Sequence, residues 1–258
     1  MTLTKQQLLE KRNDLSQFLF HLTRDGDLKL RKDLYSLQKD DVRPLVAKDS
    51  LAGILQRRCI EARSSFGYFD YKVRVTTAFG VLSSKSLVQR DWLRVACFTE
   101  TPIDHVCLQM QEISGRQSCF GPYGLAFRED VVRRANGNPV FYVQTTNQKL
   151  RHAFNQMAEA SNAADFKDLM PLVEGFGAPW FTKYYGPTEI DFRWEREWRV
   201  VGDFSFSLAD VAFGLCPKSC KNIFEKFVGQ SFPFVDPNDD MNAIKQELRN
   251  WSHLRDLK

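Results

Sequence analysis

Two carboxylates and a guanidinium lie close together in the segment Trp194–Val201, which reads WEREWRVV. Its tryptophan and valine content is typical of a strand, where successive side chains point to opposite faces. A strand would place three charged side chains on one face: Glu195, Glu197 and Arg199. The other face would carry the packed residues: Trp194, Trp198 and Val200. The charged face could form a rigid acidic site, or it could be a solvated strand face that carries a Glu–Arg pair.

The composition of the chain indicates the class of protein that must hold this segment in place. Its 258 residues are 43% hydrophobic and 26% charged, which is ordinary for a globular protein with a substantial core. The sequence contains no apolar run of about 18 residues, and its N-terminus lacks an apolar signal core. We therefore expect a cytoplasmic protein without membrane contact.

The net charge and the cysteines bear on the possible partners, the compartment and the presence of a metal site. The net charge of +4 permits an anionic partner without requiring one. Six cysteines fit a reducing compartment, where thiols remain unbridged. Cys216 and Cys220 have the spacing of half a zinc site, but no second pair at metal-ligand spacing accompanies them. We predict no metal site.

Short strand patterns, with helices early in the chain and in insertions, predict an α+β fold. We expect one domain over residues 1–258, with a core of about 15–230, a helical insertion of about 147–175 and a C-terminal helix of about 241–257. Glycine-rich dinucleotide loops, a Walker A sequence and a Gly-x-Ser-x-Gly elbow are absent from the sequence, which excludes those common enzyme classes.

Two local predictions concern the segments that flank the site. Helical spacing of apolar residues predicts a helix over 50–62 with Ser50 as its N-cap. A buried strand is predicted over 93–99, ending before Pro102, with a helix over 103–113.

Four sequence blocks stand out by their order and spacing. They are Phe20–Thr23, Val95–Ile103, Tyr123–Phe127 together with Asn138–Val143, and Glu195–Arg199. They resemble the AbiGi family of abortive phage-resistance proteins, which carry H-x-T, C-F-x-x-x-P-[LI], Y-G-[IL], N-P-V-x-Y and E-R-E-W-R blocks. The resemblance runs from about His21 to Gly214 and implies a role in phage defence.

The order of these elements is also similar to that of ADP-ribosyltransferases, including DarT-like nucleic-acid modifiers. In that arrangement a His lies on the first strand, a Thr or Ser on a middle strand and Glu-x-Glu on a late strand. The similarity implies an ADP-ribosyltransferase-like α+β fold: a split mixed or antiparallel central sheet with helical insertions. Such a fold binds NAD, as a substrate, in the central cleft.

This resemblance assigns a role to each candidate residue. Glu197 would stabilise the oxocarbenium-like charge on the ribose, and Glu195 would take the proton from the accepting nucleophile. Four further residues would bind NAD: His21 at a ribose, Thr23 and Thr99 as supports of the cleft, and Tyr123 stacked on nicotinamide. Arg199 would meet the pyrophosphate.

Each assignment has a structural alternative. A histidine on an apolar strand can be a satisfied core residue, and Thr99 or Thr101 can cap the helix that follows Pro102. Tyr123 can serve packing, and Arg199 can neutralise Glu197 across the strand face.

We therefore expect a phage-defence enzyme that transfers ADP-ribose from NAD to a nucleic acid, either RNA or DNA. One alternative is a non-enzymatic antitoxin or regulatory module that binds a toxin partner. The other alternative is a nuclease that uses Glu195 and Glu197.

Overall fold

A computed structural model describes residues 16–25, 47–64, 94–111, 119–144, 146–159, 168–177, 191–229 and 232–254. Helices and strands are interspersed along these ranges, which confirms the α+β class. The chain forms two compact units. The first is drawn from residues 1–59, 100–131 and 206–258, and the second from residues 60–99 and 132–205.

The elements follow one another in chain order. The strands are β1 (Phe18–Asp25), β2 (Cys59–Ile60), β3 (Arg63–Ser64), β4 (Arg94–Thr99), β5 (Cys119–Arg128), β6 (Asn138–Pro139), β7 (Phe141–Gln144), β8 (Val173–Phe176), β9 (Glu197–Val201), β10 (Phe204–Ser205), β11 (Val211–Leu215) and β12 (Phe234–Val235). The helices are α1 (Ala47–Arg57), α2 (Ile103–Gln109), α3 (Glu129–Arg134), α4 (Gln148–Glu159), α5 (Lys221–Val228) and α6 (Met241–Arg249). Single 3-10 turns are Met170–Leu172, Arg193–Glu195, Leu208–Asp210, Lys218–Cys220 and Ser252–Leu254.

The first unit contains a mixed sheet in the order β12-β11-β5-β1. The pairs β1–β5 and β5–β11 are antiparallel, whereas β11 and β12 are parallel. In strand β1, Phe18, Phe20 and Leu22 share one face and are buried, and Leu19 is buried on the other face. A mixed sheet was expected, and this unit has one.

Aromatic rings fill the core on that face of the first unit. Phe213 of β11 packs edge-to-face against Phe18, with ring centroids 5.2 Å apart, and against Phe20 at 5.9 Å. Ile244 and Leu248 of α6 complete the same buried cluster. Edge-to-face aromatic pairs stabilise beyond the area that they bury. This apolar packing holds β1, β11 and α6 together.

The second unit contains antiparallel strands in which β9 lies between β4 and β6. Thr99 of β4 is in register with Glu197, and Cys97 with Arg199. Asn138 of β6 is in register with Arg199, and Pro139 fits there because β6 is a two-residue strand. A separate parallel pair, β7–β8, places Tyr142 in register with Glu174.

Helix α1 differs from its prediction. It begins at Ala47, three residues before the predicted cap, so Ser50 is not its N-cap. The helix ends at Arg57 because Arg58 adopts a left-handed conformation with φ of 54°, and Cys59 already belongs to β2. The apolar spacing was nonetheless informative, because Leu51, Ile54 and Leu55 are buried.

The helical section predicted over about 147–175 differs from the structure at its end. Helix α4 spans Gln148–Glu159, residues 160–167 lie outside the described residues, and the chain over 173–176 is the strand β8 rather than helix. The C-terminal helix likewise ends at Arg249 and is followed by the turn Ser252–Leu254. Within the described ranges, none of the helices is long and apolar enough to cross a membrane.

Candidate functional site

The charged segment is a turn followed by a strand, rather than one continuous strand. Arg193–Glu195 is a 3-10 turn, Arg196 is left-handed with φ of 46°, and β9 begins at Glu197. The prediction that Glu195 shares the strand face of Glu197 is therefore wrong, because a left-handed residue breaks the two-residue alternation. Trp194 is 38% exposed and does not pack as predicted.

From Glu197 onward the predicted alternation is confirmed. Trp198 and Val200 are buried, at 7% and 3% exposure. Glu197 and Arg199 share the opposite face, where Arg199 Nε donates to Glu197 Oε1 at 2.9 Å and Nη2 donates to Oε2 at 2.7 Å. This bidentate geometry is the strong form of an ion pair.

Arg199 is almost completely buried, and the chain itself occupies its donors. Besides the two bonds to Glu197, Nη1 donates to the Pro171 carbonyl at 2.9 Å and Nη2 to Glu174 Oε2 at 2.8 Å. The Arg199 side chain is only 2% exposed, whereas those of Glu174 and Glu197 are 14% and 13% exposed. We call Glu174, Glu197 and Arg199 the Arg199 cluster. Its guanidinium keeps its charge, because the two carboxylates hold the pKa of Arg199 above its usual range despite burial.

Glu174 is the residue that sequence reasoning missed. Its pKa is raised to about 7: burial raises it most, Arg199 lowers it, and the nearby Glu197 raises it. The available signal was a single acid between apolar residues in the segment LVEGF. That signal indicates a buried carboxylate only if the segment is a strand, and we predicted a helix there.

Tyr142 was also missed, although it lies in one of the family-like blocks. Its hydroxyl donates to the Phe192 carbonyl at 3.3 Å and accepts the Glu197 N–H at 3.2 Å. Burial raises the pKa of Tyr142, and the neighbouring Glu197 carboxylate acts in the same direction. The neutral phenol thus fixes the backbone where β9 begins.

Thr99 holds the turn in front of β9. Its hydroxyl donates to the carbonyl of Glu195. The Thr101 oxygen accepts from Gln109 Nε2 at 2.9 Å. Thr99 therefore supports the backbone of a candidate residue, and its role as a support of an NAD cleft stays a prediction.

The turn itself is braced by an arginine. Arg193 makes a two-point contact with Asp191, at 2.9 Å from Nε and 2.7 Å from Nη2, and its guanidinium lies 4.1 Å from the centroid of the Phe176 ring. A guanidinium over the face of an aromatic ring makes a favourable cation–π interaction. The contact ties the turn to β8, which also carries Glu174.

Three predicted residues lie in the first unit: His21, Thr23 and Tyr123. His21 is half-buried on β1. Thr23 is 3% exposed, and its hydroxyl lies 2.8 Å from the Ala47 carbonyl and 3.1 Å from that of Tyr123. Their joint action with Glu197 of the second unit on one ligand stays a prediction.

Tyr123 has the contacts of a packing residue. Its ring lies 5.9 Å from that of Phe224, and its hydroxyl is 3.4 Å from Cys220 Sγ. These contacts favour the packing alternative over stacking on a ligand. Stacking on nicotinamide is a prediction that the structure does not test.

Metal-ligating side chains do not gather in the described part of the chain. No group of three or more His, Cys, Asp or Glu side chains there is arranged to hold a metal ion. Cys216 is buried, and burial raises the pKa of its thiol to about 12, so this thiol stays protonated at neutral pH.

Comparison with known proteins gives one match. No curated protein and no solved structure matches the chain significantly. The model of a family described as "Putative abortive phage resistance protein AbiGi, antitoxin" matches residues 52–227. The matched region contains β4, β8 and β9, and therefore the whole Arg199 cluster, whereas His21 and Thr23 lie before it. Because the match spans more than half of the 258 residues of the chain, the chain belongs to the AbiGi family.

Proposed function

We propose that this chain acts in phage defence as the antitoxin of a toxin–antitoxin pair, and that it works by binding a toxin protein. The description of the AbiGi family model supports the antitoxin role. The cytoplasm is the proposed compartment, because a toxin that arrests the host cell would be neutralised there.

One observation carries the non-enzymatic form of this proposal: Arg199 holds both oxygens of Glu197. A carboxylate that stabilises a developing positive charge on a substrate needs lone pairs directed at that substrate. Both Glu197 oxygens accept hydrogen bonds from a buried guanidinium, which engages one lone pair on each oxygen and holds the carboxylate against Arg199. This supports a structural role for the Glu-x-Arg pattern at 197–199, as an ion pair on one face of β9.

Co-expression tests the antitoxin role. The chain is produced together with the protein encoded beside it in its source genome, and growth is compared with that of cells producing the neighbour alone. We expect the neighbour to arrest growth and the chain to relieve the arrest. Glu197→Gln should relieve it as well, provided that circular dichroism shows the variant folded, because the proposal requires no acid at this position.

The opposite pattern would overturn the proposal. If the chain alone arrests growth and Glu197→Gln abolishes that arrest, the chain is a toxin that uses its carboxylate. Glu61→Gln, a change at an exposed acid of the same unit, is the matched control and should behave as the wild type in both arms.

A second candidate function is NAD-dependent mono-ADP-ribosylation of a nucleic acid, RNA or DNA. The observation that favours it is the accessibility within the cluster: the Glu174 and Glu197 side chains are 14% and 13% exposed, while that of Arg199 is 2% exposed. In this reaction the bond between ribose C1′ and nicotinamide breaks, and nicotinamide leaves neutral. The acceptor nucleophile, after losing its proton to a base, bonds to that carbon.

Label transfer tests this second function. The protein is incubated with NAD carrying a labelled adenylate, in the presence of mixed RNA and DNA. The transferase predicts labelled nucleic acid with the wild type and with Glu61→Gln, and none with Glu197→Gln. Equal labelling by the wild type and Glu197→Gln, or no nicotinamide release by either, would reject it.

A further inference from the structure

Two carboxylates from different strands share a single nitrogen in the Arg199 cluster. Glu174 Oε2 of β8 and Glu197 Oε2 of β9 accept from the same Nη2, at 2.8 and 2.7 Å. The remaining Glu174 oxygen, Oε1, accepts the Gly175 N–H at 3.2 Å. Within the described ranges, both acids therefore pair with the same cation.

Among the described residues, the charged groups that face Glu174 are more negative than positive. From β9 it meets Arg199 and Glu197, and from β7 it is in register with Tyr142, whose phenol is neutral. On β4, Cys97 is in register with Arg199. With both acids ionised, the Arg199 cluster carries one net negative charge in a poorly hydrated place, where such a charge is costly.

We propose that the Arg199 cluster is a proton-linked joint between β8 and β9, in which Glu174 takes up one exchangeable proton whose binding brings the cluster to zero charge. The geometry carries this inference, because two acids within hydrogen-bond distance of one buried nitrogen cannot both be compensated by it. Glu174 is placed as the acid that holds the proton by its position on β8, where it faces both Arg199 and the Glu197 carboxylate. The inference goes beyond the proposed function and does not rest on it.

The sign of the linkage follows from the direction of the shift. Burial raises the pKa of Glu174 from 4.5 to about 7. Between those values the folded chain holds a proton that the unfolded chain has released, so the contribution of Glu174 to stability falls as pH rises. Below this window the contribution is fully present, and above it the loss is complete. The contact between β8 and β9 is therefore most stable at mildly acidic pH.

Unfolding equilibria at several pH values test the proposal. Urea unfolding is measured between about pH 5 and pH 8.5 for wild type and Glu174→Gln, whose amide imitates the protonated acid. We expect the ratio of the wild-type to the variant unfolding constant to rise about tenfold per pH unit up to about pH 7, and then to level off. Glu61→Gln should give a ratio that stays constant. Parallel curves for wild type and Glu174→Gln would overturn the proposal.

Carboxyl-carbon NMR measures directly the proton that Glu174 takes up. In folded, labelled wild-type protein we expect the Glu174 carboxyl to titrate near neutral pH, well above the ordinary range of a glutamate. Glu197→Gln removes the competing charge and should lower the Glu174 midpoint. An ordinary Glu174 midpoint in the wild type, or one that Glu197→Gln leaves unchanged, would overturn the proposal.

Discussion

The core of the first unit and the Arg199 cluster of the second hold strands together by different interactions. In the first unit, Phe18, Phe20 and Phe213 interlock through ring contacts that involve no charge. In the second, Arg199 of β9 binds the Glu174 carboxylate of β8, the Pro171 carbonyl in the turn before β8, and the Glu197 carboxylate of its own strand. Apolar packing weakens in proportion to the atoms removed, whereas a buried ion cluster fails as a whole when its single cation is lost.

The comparison predicts its largest effect at Arg199. Arg199→Met keeps an unbranched side chain but leaves two carboxylates without their cation, and we expect it to lower the free energy of unfolding by about 3–5 kcal/mol at pH 7.5. Urea denaturation followed by circular dichroism measures this loss. It should shrink as pH falls, because protonation of Glu174 removes part of the uncompensated charge.

Arg193→Met is the matched control for that prediction. The Arg193 side chain is 52% exposed and pairs with Asp191. Exposed pairs of this kind contribute about 1 kcal/mol or less. Equal losses for the two variants would show that burial of the cation does not distinguish Arg199.

A smaller, pH-independent loss is expected in the aromatic core. Phe213→Leu removes ring atoms that contact Phe18 and Phe20, and we expect a loss of about 1–2 kcal/mol from reduced burial and a small cavity. The same urea measurements at acidic and neutral pH should give equal losses. A loss that varies with pH would contradict the contrast between the two regions.

A buried neutral hydrogen bond should matter less again. Thr23→Val preserves shape and removes the hydroxyl that lies near the Ala47 and Tyr123 carbonyls. We expect about 1 kcal/mol of lost stability, the usual contribution of one hydrogen bond. Thr23→Ser, which keeps the hydroxyl, is the control. A loss for Thr23→Val as large as that for Arg199→Met would remove the distinction between neutral and charged buried groups.

The smallest predicted effect is a gain at the turn before β9. Arg196 is left-handed, a conformation that costs a residue with a Cβ about 1 kcal/mol and costs glycine little. Arg196→Gly should therefore stabilise the protein by about 0.5 kcal/mol, seen as a small rise in melting temperature. Arg196→Ala, which keeps the strained backbone, should bring no such gain.

Period-two reasoning predicted the part of the site that is a regular strand. Trp198 and Val200 point into the core, and Glu197 and Arg199 pair on the other face, because these positions lie in β9. It did not predict the turn at 193–196. That turn depends on a hydrogen bond from Thr99, which is far away in sequence.

The partner acid could not be predicted for a related reason. Glu174 becomes an interior carboxylate only when β8 pairs with β7 and approaches Arg199. Helical spacing dominated our prediction for that region, and α4 does satisfy it as far as Glu159. Contacts between segments distant in sequence, rather than local preference, decided both differences.

The left-handed residue at the start of β9 has a consequence for insertions and deletions. Because Arg196 interrupts the alternation of side chains, the turn can absorb changes in length between 191 and 195. Such changes need not exchange the two faces of β9. A single deletion inside β9 would instead exchange the places of Trp198 and Arg199, presenting an indole to the two acids and a cation to the apolar side. Homologous chains should therefore vary in length before this boundary and keep a constant count after it.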